Sequence, residues 1–189
     1  MHAAPGQRVG ALEVEVPERD LSFQFDNFVV CSVTGSTQAG MIAGFAHSNR
    51  ACTVRGIDAS ATVDETWDQI KRIASVTAAA IELGRELDEA EIVLLDRWHA
   101  GVCGLPDQRT IDAIQISARL EGMIVDPVYE GKSMAGLIDL VRERALKPDG
   151  EVLYEHLAGQ PAINGYTTAF DVEVEERWCS SWLLGARRA

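Results

Sequence analysis

The chain has 189 residues, of which 47% are apolar and 24% charged, and its 29 acidic and 17 basic residues give a formal net charge of −12. This length suits one domain with a substantial core, and the acidic surplus argues against a protein that binds nucleic acid by neutralising its phosphates. No apolar run approaches the ~20 residues of a membrane span and the first twenty residues lack a signal-peptide pattern, so we expect a cytoplasmic chain with reduced cysteines and no membrane partner.

The first half of the chain alternates short apolar runs with helical patterns. Residues 28–33 form a β-type run, followed by a turn at 34–37 and a helical pattern over 38–46. A second short strand is predicted over 53–58. Strand, glycine turn and helix therefore follow one another at the start of the fold.

The next predicted helix has sequence signals at both of its ends. Thr62 and Glu65 have the spacing of a capping box, which predicts the helix start. Gly84 is a suitable C-terminal cap, so we expect the helix to end near it. The apolar run 92–95 then predicts another buried strand.

The second half of the chain continues the alternation. Ile111, Ile114 and Ala118 recur at helical spacing, and this predicts a helix that begins at Thr110 or just before it. Residues 134–141 repeat the pattern, and 152–154 form a last strand. Alternating strands and helices indicate an α/β fold with a largely parallel sheet flanked by helices. We assign no structure to residues 1–23 or 171–189.

The candidate chemistry is concentrated in one segment, the glycine turn, which comprises Val33, Thr34, Gly35, Ser36 and Thr37. A strand that ends in a glycine turn and opens a helix directs backbone N–H groups at one point, and such a point binds phosphate. Gly35 and Gly40 have the glycine spacing of a P-loop, but Met41 and Ile42 stand where that motif needs Lys and Ser or Thr. Nucleoside triphosphate hydrolysis is therefore disfavoured. An ordinary tight turn is an equal alternative to a phosphate site.

A second candidate segment runs from Asp126 to Ser133. Asp-Pro favours an extended chain, and we expect the next helix to start at Lys132 or Ser133. Tyr129 and Glu130 would then lie at the carboxyl edge of a strand, where open α/β sheets bind ligands. From the residues alone, a turn with a solvated glutamate and a packed tyrosine is the favoured alternative.

Three stretches resemble one enzyme family: DNFVVCSVTGSTQAGMIAGFA, RLEGMIVDPVYEGKSMAGLIDLVR and HLAGQPAINGY. They resemble the 1-aminocyclopropane-1-carboxylate deaminases, pyridoxal-phosphate enzymes with the tryptophan-synthase β-like fold, whose near relatives are the D-cysteine desulfhydrases. The resemblance covers only the C-terminal portion of such an enzyme. It divides the chain into a divergent segment 1–24, a pyridoxal-phosphate-binding α/β region 25–170 and an unrelated tail 171–189.

The resemblance implies roles for individual residues. The glycine turn would hold the phosphate of pyridoxal phosphate, Glu130 would face the pyridine nitrogen, and Tyr129 would act in opening the cyclopropane ring. The Tyr-Glu pair favours the deaminases, since the desulfhydrases are expected to carry a smaller hydroxyl residue at the glutamate position. Cys103 stands where the deaminases have a second tyrosine, and we interpret it as a packing residue.

The resemblance also implies a lysine that binds the cofactor covalently, upstream of the glycine turn. None of the 32 residues before Val33 is a lysine, and Lys71, Lys132 and Lys147 do not match that position. We therefore expect an incomplete or split deaminase that takes 1-aminocyclopropane-1-carboxylate to 2-oxobutanoate and ammonia. The alternatives are a non-catalytic module that binds a phosphate ligand or another subunit, and a desulfhydrase-like lyase. Expected partners are a small amino-acid substrate and either further copies of the chain or a complementing N-terminal half; no metal site is predicted.

Overall fold

The computed structural model describes residues 6–157 and 159–170. Strands and helices alternate along most of this part, as the sequence predicts. The elements in chain order are α1 Gly6–Leu21, β1 Asn27–Ser32, α2 Ser36–Phe45, β2 Val54–Asp58, α3 Val63–Ala80, β3 Val93–Leu95, α4 Gln108–Glu121, α5 Glu130–Arg142 and β4 Val152–Glu155, with two short 3₁₀ segments, Gln160–Gly165 and Thr167–Phe170, after the last strand.

The four strands form one parallel sheet in the order β3-β2-β1-β4. The chain moves outward from β1 to β2 and β3, and β4 is then added on the other side of β1. The strand order therefore reverses between β1 and β4, and such a reversal leaves a crevice at the carboxyl ends of the two strands. The predicted α/β class with a parallel sheet is confirmed.

Helices cover both faces of the sheet because successive side chains of β1 point to opposite sides. Phe28 and Val30 pack with α2 and α3 in one core cluster. Val29, between them, packs with α5 and with Trp98 in a second cluster. This double burial explains why β1 is a continuous apolar run rather than an alternating pattern.

Residues 6–21, to which the sequence analysis assigns no structure, form helix α1. Near its end, Glu18 is buried and forms an ion pair with Arg50 through two N–H···O bonds of 2.8 Å. Arg50 also donates to the carbonyl of Phe25, and Glu18 accepts from the N–H of the same residue. The pairing that holds α1 is thus made with residues remote in sequence, which a local pattern does not reveal. Residues 171–189, also left unassigned, lie outside the described residues.

Helix α3 starts directly after Thr62, as predicted, but its capping hydrogen bond and its C-terminal end differ from the prediction. Thr62 precedes the helix, but its hydroxyl donates to Ser60 Oγ instead of capping α3, so the capping-box prediction is wrong. The helix ends at Ala80, before Gly84, because Glu82 adopts the left-handed conformation and the N–H of Leu83 bonds to a carbonyl of the last turn. This reversal places Leu83 against the core.

No helix in the described ranges is both long enough and apolar enough to cross a membrane. Within the same ranges, no group of three or more His, Cys, Asp or Glu side chains is arranged to hold a metal ion.

Candidate functional site

The glycine turn connects the carboxyl end of β1 to the start of α2. Gly35 has a φ of 68°, in the left-handed region, and directly precedes Ser36, the first residue of the helix. No side chain in the described part of the protein caps this helix end. Its first-turn N–H groups and its dipole therefore face outward, where an anion can bind. The hydroxyls of Thr34 and Ser36 lie 3.3 Å apart and add donors at the same point.

Asp126 organises the second candidate segment. Its buried carboxylate accepts hydrogen bonds from the backbone N–H groups of Val128 and Tyr129 at 2.8 Å and of Glu130 at 3.0 Å. Three N–H groups near the start of a helix are thereby satisfied by one side chain. The Asp-Pro pair therefore marks the start of a helix, and the Asp126 carboxylate caps it by accepting these hydrogen bonds.

This geometry corrects two expectations. Helix α5 begins at Glu130 rather than at Lys132 or Ser133. Residues 122–126 form no strand, so Tyr129 and Glu130 lie at a helix N-terminus and not at a strand edge. The reason is that the carboxylate of Asp126 starts the helix earlier than the glycine at 131 suggests.

Glu130 is buried with an exposed fraction of 2%. Its Oε2 accepts a hydrogen bond of 2.8 Å from the Tyr154 hydroxyl, whereas the donor nearest to Oε1 is the N–H of Leu157 at 3.4 Å. Burial raises the pKa of the Glu130 carboxyl, and the hydrogen bond from Tyr154 opposes that rise. The favoured interpretation as a solvated glutamate and a packed tyrosine is wrong, because Glu130 is enclosed and Tyr129 is 41% exposed.

One cavity of about 370 Å³ brings the two segments together. It is lined by the glycine turn, by Tyr129 and Glu130, and by Cys31, Leu157 and Gly159. It lies at the carboxyl ends of β1 and β4, where the strand order reverses, which is the place where open α/β sheets bind ligands. All seven predicted site residues, Val33, Thr34, Gly35, Ser36, Thr37, Tyr129 and Glu130, line it.

Cys31 contributes a thiol to the cavity wall. Burial, together with the carboxylates of Glu130 and Asp126, raises its pKa well above the ordinary value for cysteine. The thiol therefore stays protonated at neutral pH, and it is not a thiolate nucleophile.

Besides Cys31, three further residues of this site are not predicted from the sequence, namely Tyr154, Leu157 and Gly159. All three lie in or just after the last strand, β4. The available signal was their position, because the carboxyl ends of parallel strands meet at one edge of a sheet. Which strands are neighbours is a tertiary fact, so the sequence pattern alone does not join them to the glycine turn.

Lys132 lies inside α5 and is fully buried. Its ammonium donates to the carbonyl of His99 at 2.8 Å and to that of Val102 at 3.1 Å. Burial lowers the pKa of this lysine.

The loop that contains His99 and Val102 also carries Cys103. Cys103 is exposed and does not line the cavity, so its interpretation as a packing residue is wrong. The hydrogen bonds from Lys132 are made on the buried side of this loop, whereas Cys103 lies on its exposed side.

Replacement of Lys132 by methionine is expected to loosen the loop at 99–102. Two carbonyls lose their donor, which costs about 1–3 kcal/mol in the free energy of unfolding. Hydrogen exchange of residues 99–104 should increase together with the rate at which Cys103 reacts with a thiol reagent. Lys147→Met, at an exposed lysine paired with Asp26, is the matched control and should change neither. Unchanged exchange and thiol reactivity in Lys132→Met would show that the loop does not depend on this lysine.

Comparison with known proteins places these features in a family. The family model described as "Pyridoxal-phosphate dependent enzyme" matches residues 3–156. The 1-aminocyclopropane-1-carboxylate deaminase of Burkholderia ambifaria (strain MC40-6) is 54% identical over 160 residues, which are 85% of this chain and 47% of that protein. The deaminase of Variovorax paradoxus is 53% identical over the same shares. The chain thus spans about half the length of the curated relatives it matches.

Solved structures agree on the fold. A homologue of 1-aminocyclopropane-1-carboxylate deaminase superposes with a TM-score of 0.69 and 25% identity, over 86% of this chain and 49% of that one. O-ureido-L-serine synthase superposes with a TM-score of 0.54 and 20% identity, over 96% of this chain and 54% of that one, and supports the fold alone. Because the family model matches most of this chain, residues 3–156, the chain belongs to the pyridoxal-phosphate-dependent enzymes.

Proposed function

We propose that this chain forms the cofactor-binding portion of a 1-aminocyclopropane-1-carboxylate deaminase, a hydrolase that releases 2-oxobutanoate and ammonia. The observation that carries the proposal is the cavity that joins an uncapped helix N-terminus to a buried carboxylate. The sequence similarity to named deaminases favours this substrate over others. Because the chain spans about half of those relatives, the activity belongs to the assembled enzyme.

The residues present fit pyridoxal phosphate at both of its ends. N–H groups and hydroxyls at the glycine turn are donors suited to a phosphate monoester. At the other end, Oε1 of Glu130 is a buried carboxylate oxygen whose nearest protein donor is 3.4 Å away. A buried acceptor in that condition suits a protonated ring nitrogen, because the ligand supplies the missing donor.

Each residue then has a separate task. The glycine turn anchors the phosphate and so fixes the cofactor against β1. Glu130 keeps the ring nitrogen protonated, and the bound cofactor supplies an electron sink for the substrate carbon next to the amine. Tyr129, exposed at the rim, presents its Oη to the substrate and moves a proton during ring opening. The exposed thiol of Cys103 lies outside the cavity lining, so we do not assign it the role of the family's second tyrosine.

The remaining roles concern other segments. The chain has no lysine before Val33, so we propose that the amine that binds the cofactor comes from a segment outside this sequence. A complementing N-terminal half would supply this amine. That half, or further copies of the chain in a homo-oligomer, would cover the apolar rim that includes Leu157. We further propose a cytoplasmic location, a small amino-acid substrate, and the division of the chain into residues 1–24, 25–170 and 171–189.

Titration with pyridoxal phosphate tests the proposal. The chain should bind pyridoxal phosphate at least about tenfold more tightly than pyridoxal, which lacks the phosphate, since one charged hydrogen-bonded group contributes about that much. In a Lys71→Arg/Lys147→Arg variant, Lys132 is the one lysine left, and borohydride treatment should add no mass to the peptide that contains it. An adduct on the α-amino group of residue 1 is identified separately by its peptide. Binding is followed by absorbance, and the adduct by mass spectrometry of the intact protein and its peptides.

The groove between α4 and α5 provides the control. It has a volume of about 230 Å³ and is lined by three arginines, Arg109, Arg119 and Arg142, so it is the competing site for a phosphate. Arg119→Ala should leave pyridoxal-phosphate binding unchanged. Equal affinity for pyridoxal and pyridoxal phosphate, or loss of binding in Arg119→Ala, would refute the assignment to the glycine turn. A reduced adduct on Lys132 would refute the conclusion that the amine comes from elsewhere.

A further inference from the structure

Tyr154 lies on β4, and its hydroxyl oxygen is within hydrogen-bond distance of three oxygen atoms around the start of α5. Its Oη is 2.8 Å from Glu130 Oε2, 2.9 Å from the Glu130 carbonyl oxygen and 2.8 Å from Ser133 Oγ. Ser133 is itself fully buried, and its hydroxyl is 3.1 Å from the same carbonyl. Two hydroxyls, with one proton each, therefore serve a carboxylate and a carbonyl in a closed cluster.

The proton count decides the direction of these bonds. An ionised carboxylate has no proton to give, so Tyr154 is the donor to Oε2 whenever Glu130 is charged. The Ser133 hydroxyl then donates to the Glu130 carbonyl at 3.1 Å, to Oε2 at 3.4 Å or to Tyr154 Oη at 2.8 Å. The last arrangement forms a chain that strengthens the bond from Tyr154 to Glu130. Burial and the nearby charge of Glu130 raise the pKa of Tyr154, so the phenol keeps its proton for this task.

The two oxygens of Glu130 are used unequally. Oε2 has a short bond from Tyr154, whereas Oε1 has the distant N–H of Leu157 and belongs to a residue that lines the cavity. A donor fixed on one oxygen restricts rotation of the carboxylate and leaves the other oxygen for a ligand. Tyr154 itself does not line the cavity, so it acts only through Glu130.

We propose that Tyr154 is the positioning residue of this site: it holds the Glu130 carboxylate in its charged form and directs Oε1 to the cavity. The identity of the group that Oε1 contacts, the ring nitrogen of the cofactor, rests on the proposed function. The hydrogen bond from Tyr154 to Glu130 belongs to this chain and is formed without any ligand.

Other charged groups near Glu130 act in both directions. Asp126, in the segment before α5, raises the pKa of Glu130, and His156, after β4, lowers it. Cys31, on β1, is the third titratable neighbour, and its thiol stays neutral. Asp126 and His156 remain in place in a Tyr154 variant, so a change in the Glu130 pKa there reports the lost hydrogen bond.

The test is the pKa of the Glu130 carboxyl in the chain without cofactor, measured by NMR on carboxyl-labelled glutamate and assigned with Glu130→Gln. Tyr154→Phe should shift that pKa upward, because the charged form loses its donor while burial persists. Ser133→Ala keeps the bond between Tyr154 and Glu130 and should give a smaller shift. Affinity for pyridoxal phosphate should fall about tenfold in Tyr154→Phe at neutral pH.

A second measurement covers the case in which Tyr154→Phe does not fold. Difluorotyrosine, introduced throughout a Tyr129→Phe/Tyr166→Phe chain, modifies only Tyr154 and makes it a stronger donor, so the Glu130 pKa should fall. An unchanged Glu130 pKa in folded Tyr154→Phe, or in the fluorinated chain, would overturn the positioning role. If the Glu130 pKa shifted as expected but the unsubstituted chain did not bind pyridoxal phosphate, the proposed function would be refuted and the positioning role of Tyr154 would stand.

Discussion

Gly35→Ala is expected to destabilise the protein by about 2–5 kcal/mol and to abolish binding of pyridoxal phosphate. Gly35 has a φ of 68°, and the left-handed conformation costs an alanine roughly 1–2 kcal/mol. An added Cβ would also lie 2.3 Å from Cγ1 of Ile70, a fully buried residue of α3. Relief of that contact forces α2 and α3 apart and costs about 1–3 kcal/mol more. Urea unfolding and cofactor titration measure the two effects.

Gly84→Ala separates the backbone effect from the contact. Gly84 has a similar φ of 79°, but no atom lies within 4 Å of an added Cβ. This variant should therefore lose only about 1–2 kcal/mol and should bind the cofactor normally. In the double variant Gly35→Ala/Ile70→Ala, the loss should be smaller than the sum of the two single losses. If Gly35→Ala and Gly84→Ala were equally stable and bound equally well, the close approach at Ile70 would have no part in shaping the glycine turn.

Arg50→Ala is expected to destabilise the protein by about 3–5 kcal/mol, since it leaves the buried Glu18 carboxylate without its charged partner. The side chains of Glu18 and Arg50 are only 6% and 11% exposed. Arg50 also lies over the rings of Phe28 and Phe45, with its guanidinium carbon 5.3 and 5.2 Å from their centroids. A loss of this size is a large part of the 5–15 kcal/mol typical of a domain. Denaturant unfolding at neutral pH measures it.

The controls for Arg50 use charge and pH. Arg19→Ala, on the same helix as Glu18 but at an exposed pair, should change stability by less than about 1 kcal/mol. The Arg50 guanidinium lowers the pKa of Glu18 below its ordinary value of 4.5. The ion pair therefore contributes its full stabilisation above that pH, and the contribution is lost as the pH falls through the lowered pKa. In Arg50→Ala this acid-dependent loss should be absent, and equal acid sensitivity in the two proteins would contradict the assignment.

The sequence predicts the elements of the sheet well because their signals are local. The run at 28–33 is apolar without interruption, which is what a strand covered on both faces requires, and β1 is found there. The turn after it needs a glycine because of the positive φ at Gly35. Helix caps are predicted less well than helix positions. The Thr62 hydroxyl has the right spacing for a cap but bonds to Ser60, a competing partner that spacing does not reveal.

The candidate site likewise has features that the sequence predicts and features that it does not. The amino-acid sequence is enough to predict the α/β class, the parallel sheet, and the residues that line the cavity from the glycine turn and from the Tyr129-Glu130 pair. Those features follow from short-range patterns and, for the pair, from resemblance. Other features are visible in the folded chain alone: Glu130 is enclosed and bonded to Tyr154, Lys132 is buried under the loop that exposes Cys103, and Glu18 is paired with Arg50. Each of these facts depends on contacts between residues distant in sequence, and burial, which sets the charge state of such groups, exists only once the strands have been placed side by side.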